Sequence, residues 1–311
     1  MTSSAFIFPG QGSQSIAMLA ELAQQFPQVG ETFDAASNVL GYDLWSVCQQ
    51  GPEDRLNQTE VTQPAMLAAG VATWRAWEAQ GGFTPDFMAG HSLGEYSALV
   101  AAGSLDFDQA VALVAERARL MQAATPQGAG AMAAVLGLED GVLAQVCEEA
   151  AKGEVVSCAN FNSPGQVVIA GDRAAVDRAC ALAIESGARK AIPLAVSVPS
   201  HCALMRPAAG LLAVKLQSVE IEPGNIPVLH NVDVQPHDDV VEIRQALVQQ
   251  LWQPVRWSET ILALVARGVT HFAECGPGKV LTGLNRRISR EVTSVALLSA
   301  SEMEQVRDSW S

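Results

Sequence analysis

The stretch Phe87-Met88-Ala89-Gly90-His91-Ser92-Leu93-Gly94-Glu95 decides how this chain is read. Three apolar residues, a G-x-S-x-G pentad and a run of helix formers from Glu95 to Ala102 describe a strand that turns sharply into a helix. Such a corner closes only if its flanks are tiny, which Gly90 and Gly94 satisfy, and it lifts the hydroxyl of Ser92 clear of the sheet. The helix closes at Gly103, so the free N–H groups of its first turn face the serine and favour an oxyanion there. Ser92 is therefore the candidate nucleophile. The plainer reading is an ordinary glycine-flanked turn, since five-residue patterns of this kind also arise by chance.

What surrounds that serine is bounded by size and charge. With 311 residues and 49% hydrophobic content, the chain can bury one large domain and a smaller one. The charge-free runs at residues 1 to 20 and 120 to 138 are broken by Pro, Gln and Gly, and the first lacks a basic leader, so neither reads as a membrane span or signal peptide. Six scattered cysteines without a C-x-x-C pair argue against zinc or a disulfide framework and for a reducing, cytoplasmic setting. A net charge of −14 speaks against nucleic-acid binding, and an acidic partner would need a local basic patch.

Along the chain, Ala5-Phe6-Ile7-Phe8 fits a buried strand that breaks at the glycine-rich loop Pro9-Gly10-Gln11-Gly12-Ser13-Gln14. The loop lacks the Lys of a P-loop. Its plain reading is a strand-to-helix turn; its sharper one brings the Gln11 backbone N–H beside the elbow as an oxyanion donor. Helical spacing follows over residues 16 to 40, divided at Pro27, then a loop at Gly51-Pro52-Glu53-Asp54 and a buried helix from Ala65 to Ala79. Phe107 to Ala124 has the period of an amphipathic helix and contains Arg117 and Arg119, which spacing alone does not distinguish. A hinge-like stretch follows over Pro126 to Gly130.

Residues 131 to 196 repeat a different pattern. Strands at Met132–Leu136, Val155–Ala159, Gln166–Ala170 and Ala191–Val196, with helices at Glu139–Ala151 and Ala174–Ser186, give β-α-β-β-α-β, the ferredoxin-like order. Asn160-Phe161-Asn162-Ser163-Pro164-Gly165 in its middle hairpin reads first as a turn. The expected organisation is α/β, with a large domain over 1–127 and 197–311 and a ferredoxin-like small domain over 128–196. Beyond it, strands are expected at Val228–Val232 and Thr270–Cys275, and helices at Glu242–Leu251 and Ser258–Arg267. Five histidines are present; His91 sits inside the elbow and His237 in a charged loop, leaving His201, His230 and His271 as rival bases.

Together, Pro9-Gly10-Gln11-Gly12-Ser13-Gln14, Gly90-His91-Ser92-Leu93-Gly94-Glu95, Asn160-Phe161-Asn162-Ser163-Pro164-Gly165-Gln166, Pro199-Ser200-His201 and Gly276-Pro277-Gly278 resemble the malonyl-CoA:acyl carrier protein transacylases of bacterial fatty-acid synthesis. The likeness runs in order through nearly the whole chain. It implies an α/β-hydrolase-like large domain with a ferredoxin-like insert, Ser92 as the acyl-accepting nucleophile and His201 as its general base. Gln11 and Leu93 become the backbone oxyanion donors, Gln250 the carbonyl that orients His201, and Arg117 the clamp for the malonyl carboxylate. Asn162 matches a position near the substrate mouth. The resemblance further implies a cytoplasmic monomer without metal or cofactor, whose partners are malonyl-CoA and acyl carrier protein. One departure is Ala118, where the family pattern commonly has Gly after the arginine.

The residue types suit that chemistry. A neutral imidazole, with an ordinary pKa of about 6.5, takes a hydroxyl proton well at cellular pH, and a thiol of pKa about 8.5 departs far more easily than an amine. A carbonyl can then replace the acid of a triad, and the reaction is ping-pong through an acyl-serine. Three alternatives stand beside it: an acyltransferase serving a polyketide synthase, a serine hydrolase of thioesterase or lipase type, and a noncatalytic binding module. Arg117 separates the hydrolase, because an apolar acyl group gives a buried guanidinium nothing to pair with. For an acidic carrier protein the candidate basic pairs are Arg189-Lys190 and Arg286-Arg287, with Lys279 near the latter in sequence.

Overall fold

The computed structural model describes residues 3–126, 128–196 and 198–310. Its strands are β1 (Ser4–Phe8), β2 (Phe87–Gly90), β3 (Gly130–Leu136), β4 (Val156–Ser163), β5 (Gln166–Asp172), β6 (Lys190–Pro193), β7 (Val228–Leu229), β8 (His271–Glu274) and β9 (Thr293–Ala296). They form two sheets. The first has the order β7-β2-β1-β8-β9 with every pair parallel, and its centre, β1, is buried along its whole length. Helices cover both faces, as a continuous apolar parallel strand requires. The second sheet, β4-β5-β3-β6, is antiparallel, and with the helices Asp140–Ala151 and Arg173–Glu185 it realises the expected ferredoxin-like unit. That unit has its own apolar core around Val135, Val146, Ile169 and Val176. The expected domain limits fall at Gln127 and Ser197, both outside the described residues.

Parallel pairing fixes where a site can form. Phe8 is in register with Gly90, so the loops leaving β1 and β2 emerge side by side at the carboxyl ends of adjacent strands, where open α/β sheets bind ligands. Three glycines let them meet. A Cβ on Gly10 would lie 2.4 Å from the His91 carbonyl oxygen, one on Gly90 1.9 Å from the Gly94 carbonyl carbon, and one on Gly94 2.0 Å from the Phe8 carbonyl oxygen.

Several elements differ from the sequence reading, each for a visible reason. The helix expected from Ala65 begins at Thr59 and runs through Pro64, because residues 61 to 74 are buried throughout and packing outweighs the bond the proline removes. Asn160 to Ser163 continue β4 rather than turning, leaving only Pro164 and Gly165 between the strands. Two register shifts along β4 absorb the irregularity, and the Phe161 N–H and Ala159 carbonyl pair with Val255 of the other unit. β7 stops at Leu229 instead of Val232: the His230 N–H bonds the Gln235 carbonyl, the Val234 N–H bonds the His230 carbonyl, and the Asn231 N–H bonds Glu95. β6 ends at Pro193, short of the expected Val196, and Glu53 and Asp54 open a one-turn helix where a loop was expected.

The glycine contacts make a direct prediction. Gly94→Ala should lower stability by about 3 kcal/mol, a fall of ~6–12 °C in Tm, because the methyl meets backbone rather than a yielding side chain. Gly30→Ala, on a helix with nothing within 4 Å of the added carbon, should leave Tm unchanged or raise it slightly. Equal melting of the two variants would refute the packing account.

Candidate active site

Ser92 stands between β2 and the helix Gly94–Ala101 with φ of 52°, in the left-handed region that non-glycine residues rarely adopt. Its Oγ–H donates to His201 Nε2 at 2.7 Å, and His201 itself has φ of 61°. The opposite ring nitrogen, Nδ1, lies 2.7 Å from the Gln250 carbonyl oxygen. A carbonyl only accepts, so the ring proton sits on Nδ1 and the Nε2 lone pair faces the serine. This arrangement can pass a proton from Oγ to Nε2. The other two rival histidines are elsewhere: His230 is buried against Glu95, and His271 packs its ring on Trp310 at the far side of the sheet.

The corner's own polar groups are held by side chains from the part of the chain that follows the antiparallel unit. Asn231 Oδ1 accepts the Ser92 N–H at 2.7 Å, and Asn231 Nδ2 donates to the Gly90 carbonyl at 2.6 Å. Gln250 Nε2 donates to the Ser92 carbonyl at 2.9 Å. The Ser92 N–H is taken by Asn231, and the two residues expected as oxyanion donors are the next residue, Leu93, and Gln11. Both line the same cavity of about 320 Å³ as Ser92 and His201.

Arg117 reaches that cavity from the helix Phe107–Ala124 and is 1% exposed. Its Nη1 donates to Gln63 Oε1 at 2.8 Å and its Nη2 to Gln250 Oε1 at 2.9 Å, while its Cζ lies 5.5 Å from the Tyr96 ring centroid. Arg119, two residues on, points outward and pairs with Glu116. Ala118 is buried, and its methyl leaves both Arg117 bonds in place. Asn162 lines the cavity from the antiparallel unit, its Oδ1 2.8 Å from His91 Nε2. Of the site residues expected from the sequence, Gln11, Ser92, Leu93, Arg117, Asn162 and His201 line one cavity, and Gln250 is bonded to His201 and Arg117 behind it.

Gln63, Asn231 and Glu95 were missed. Each looks like a routine polar residue of a helix or turn, and only burial, with relative exposures of 1%, 1% and 0%, marks them out. The two basic pairs are half reunited. Arg189, Lys190 and Arg287 surround a depression that shares Gln166 with the cavity wall, and Arg287 Nη1 donates to Gln166 Oε1 at 2.6 Å. Arg286 turns away, with Lys279, into a separate cleft against the final helix.

Comparison with known proteins gives the family. Residues 5–306 match the family model for the acyl transferase domain. A malonyl CoA-acyl carrier protein transacylase from Salmonella typhimurium is 57% identical over 297 residues, covering 96% of each chain. The chain belongs to the malonyl CoA-acyl carrier protein transacylase family. Among solved structures of the family, the transacylase from Coxiella burnetii superposes with a TM-score of 0.98 at 50% identity, over 99% of this chain and 97% of that one. A malonyl-transacylase in complex with its type II polyketide acyl-carrier protein gives 0.97 at 53% identity over 99% of both.

Burial, and next the positive charge of Arg117, push the His201 imidazole down to about 3, against the raising effect of the Gln250 carbonyl. Burial likewise lowers His91. Between the ordinary histidine value of about 6.5 and this depressed one, the unfolded chain binds more protons than the native state, so His201 makes stability fall as pH drops through that window. Nitrogen-15 NMR of labelled histidine should find His201 neutral and Nδ1-protonated from pH 8 down to pH 5, with Arg117→Ala moving its titration upward. A His201 that titrates near 6.5 in both proteins would contradict the assignment.

Proposed function

We propose that the chain transfers the malonyl group of malonyl-CoA to the phosphopantetheine thiol of acyl carrier protein, for fatty-acid synthesis, through a malonyl-serine at Ser92. The observation that carries this reading is a buried guanidinium, both of whose terminal nitrogens donate to neutral amides, in the cavity that contains the serine and imidazole. In the first half-reaction Ser92 Oγ attacks the thioester carbon as its proton passes to His201 Nε2. The Leu93 and Gln11 N–H groups receive the oxyanion, the Gln250 carbonyl steadies the imidazolium, and collapse expels the CoA thiolate, which takes the proton from Nε2. The second half-reaction runs the same steps backward with the carrier thiol.

Arg117 supplies more than grip. Because its charge helps to hold His201 down, pairing it with the malonyl carboxylate relieves that effect, so the right substrate makes the base more basic. Asn162, tied to His91, lies where the pantetheine arm would enter. No step calls for a metal or cofactor. The proposal includes a cytoplasmic monomer of two units, 1–127 with 197–311 and 128–196; among the described residues no helix is long and apolar enough to cross a membrane. Service to a polyketide synthase is the second reading, favoured by the 53% likeness to a malonyl-transacylase of that system.

Docking follows from charge. On a protein of net charge −14, the depression ringed by Arg189, Lys190 and Arg287 opens beside the cavity through Gln166 and suits an acidic carrier protein.

Two measurements test the reading. Arg117→Ala should cut acylation of Ser92 by malonyl-CoA tens-fold to thousands-fold, the roughly 2–5 kcal/mol of a desolvated charge pair losing one partner, and spare acetyl-CoA. Arg117→Lys should fall between, keeping charge without the fork. An unmoved malonyl-to-acetyl ratio in Arg117→Ala would sink the clamp. For docking, reversing Arg189 and Lys190 to Glu should raise the carrier-protein KM and flatten its salt dependence, while Arg286→Glu should do neither. The docking surface is wrong if the two variants behave alike.

A further inference from the structure

The charge of Arg117 has no carboxylate bonded to it: both terminal nitrogens donate to amide oxygens, those of Gln63 and Gln250. An anion nevertheless stands one amide away. Glu95, on the helix that completes the elbow, is wholly buried, and both of its oxygens act as acceptors. Oε1 lies 2.8 Å from His230 Nδ1, while Oε2 accepts the Asn231 N–H at 3.0 Å and Gln250 Nε2 at 2.9 Å. The oxygen of that same Gln250 amide accepts from Arg117 Nη2 at 2.9 Å. Carboxylate, amide and guanidinium thus form one hydrogen-bonded chain that ends at the acyl cavity.

We propose that Glu95 is a specificity-determining positioning residue, whose carboxylate aligns the Gln250 amide on Arg117 and offsets part of the guanidinium charge, so that a carboxylate-bearing acyl group is held on Ser92 but released again. This rests on the reading of Arg117 as the malonyl clamp. An enzyme that moves an acyl group between two thioesters gains nothing from trapping it on the serine. A bare buried cation would bind malonyl hard, because the empty or acetyl-loaded cavity leaves its charge stranded. With Glu95 behind it, the guanidinium is partly balanced when the acyl site is empty, and an arriving carboxylate meets a second anion across the Gln250 amide and the guanidinium, three hydrogen bonds away and thus on the order of 10 Å. At an effective dielectric of about 20, that like-charge repulsion weakens the malonyl-enzyme by about tenfold and leaves an acetyl-enzyme alone.

The measurement is the exchange equilibrium of the acyl-enzyme. Parent and variant proteins are mixed with malonyl-CoA and CoA, or acetyl-CoA and CoA, at set ratios, quenched in acid and weighed intact. Glu95→Gln is the isosteric probe: its amide oxygen can accept from Asn231 and Gln250 while its nitrogen donates to His230 Nδ1 once that ring carries its proton on Nε2, so hydrogen bonds persist and charge goes. The malonyl equilibrium should shift toward acyl-enzyme several-fold to tens-fold, and the acetyl equilibrium stay within about twofold. Glu95→Asp, which keeps the charge and draws it back from Gln250 by one carbon, should shift malonyl in the same direction by less, and serves where Glu95→Gln does not accumulate folded. Arg117→Ala is run alongside. If it leaves the malonyl-to-acetyl ratio at the parent value, the clamp reading fails and takes this inference with it. If it collapses the ratio while the Glu95 variants leave malonyl unmoved, or move malonyl and acetyl together, Glu95 is scaffold only and the inference alone is overturned.

Discussion

The site depends on how closely the first turn of the Gly94–Ala101 helix approaches the carboxyl end of β1. A single methyl on Gly94 would stand 2.0 Å from the Phe8 carbonyl oxygen, so helix and strand touch backbone to backbone. That contact leaves three residues, His91 to Leu93, between β2 and the helix, and Ser92 turns the corner with a left-handed backbone that costs about 1–3 kcal/mol. The core around it, with Phe6, Phe8, Met88 and Leu99 buried, is what over-determines the strained conformation. The same closeness at Gly10 brings the first loop to the elbow, so one steric demand for small residues places the hydroxyl and Gln11 together.

A corner this tight leaves peptide groups that neither sheet nor helix can satisfy. The Ser92 N–H and the Gly90 carbonyl are taken instead by Asn231, and Gln250 adds a second donor to the Ser92 carbonyl beside the Glu95 N–H, both side chains coming from more than a hundred residues later in the chain. An unpaired buried group costs about 1–3 kcal/mol, so the elbow is complete only when the part of the chain beyond the antiparallel unit has packed. His201 belongs to that later part too, and its own left-handed backbone is fixed by a bond from its N–H to the Leu251 carbonyl. Ser92 and His201 are thus brought together by long-range packing rather than by local sequence.

That division explains what could be read without a structure. The elbow, the first loop and the β-α-β-β-α-β order are local: glycine spacing, apolar runs and turn residues name them directly, and Phe107–Ala124 agrees with its element to the residue. Local signals failed where tertiary packing overrode them. Pro64 reads as a helix breaker, yet the helix passes through it inside a buried bundle, carrying Gln63 to Arg117. Asn160 to Ser163 reads as a turn, yet pairing with β5 and with Val255 extends the strand. Val228 to Val232 reads as one strand, yet buried bonds at His230 and Asn231 pull the chain out of the sheet. The choice among His201, His230 and His271 had no local signal at all. All three sit near apolar runs, and only the resemblance, and then the 2.7 Å contact with Ser92, separates them.

The absence of a third acid behind His201 follows from the charge that shares its cavity. A carboxylate on Nδ1 would raise the basicity of the imidazole, but it would also stand near a buried guanidinium and, on the function proposed above, compete with the acyl carboxylate for it. The Gln250 carbonyl orients the ring without adding charge, and the amides of Gln63 and Gln250 steady Arg117 in the same neutral way. The weaker base that results is tolerable because a thioester releases a thiol of pKa about 8.5 and needs less proton transfer than an amide. A neutral support for His201 and a neutral cradle for Arg117 are therefore one solution: the imidazole and the guanidinium share a cavity without a carboxylate bonded to either, and on the function proposed above that leaves the guanidinium for an acyl carboxylate to complete.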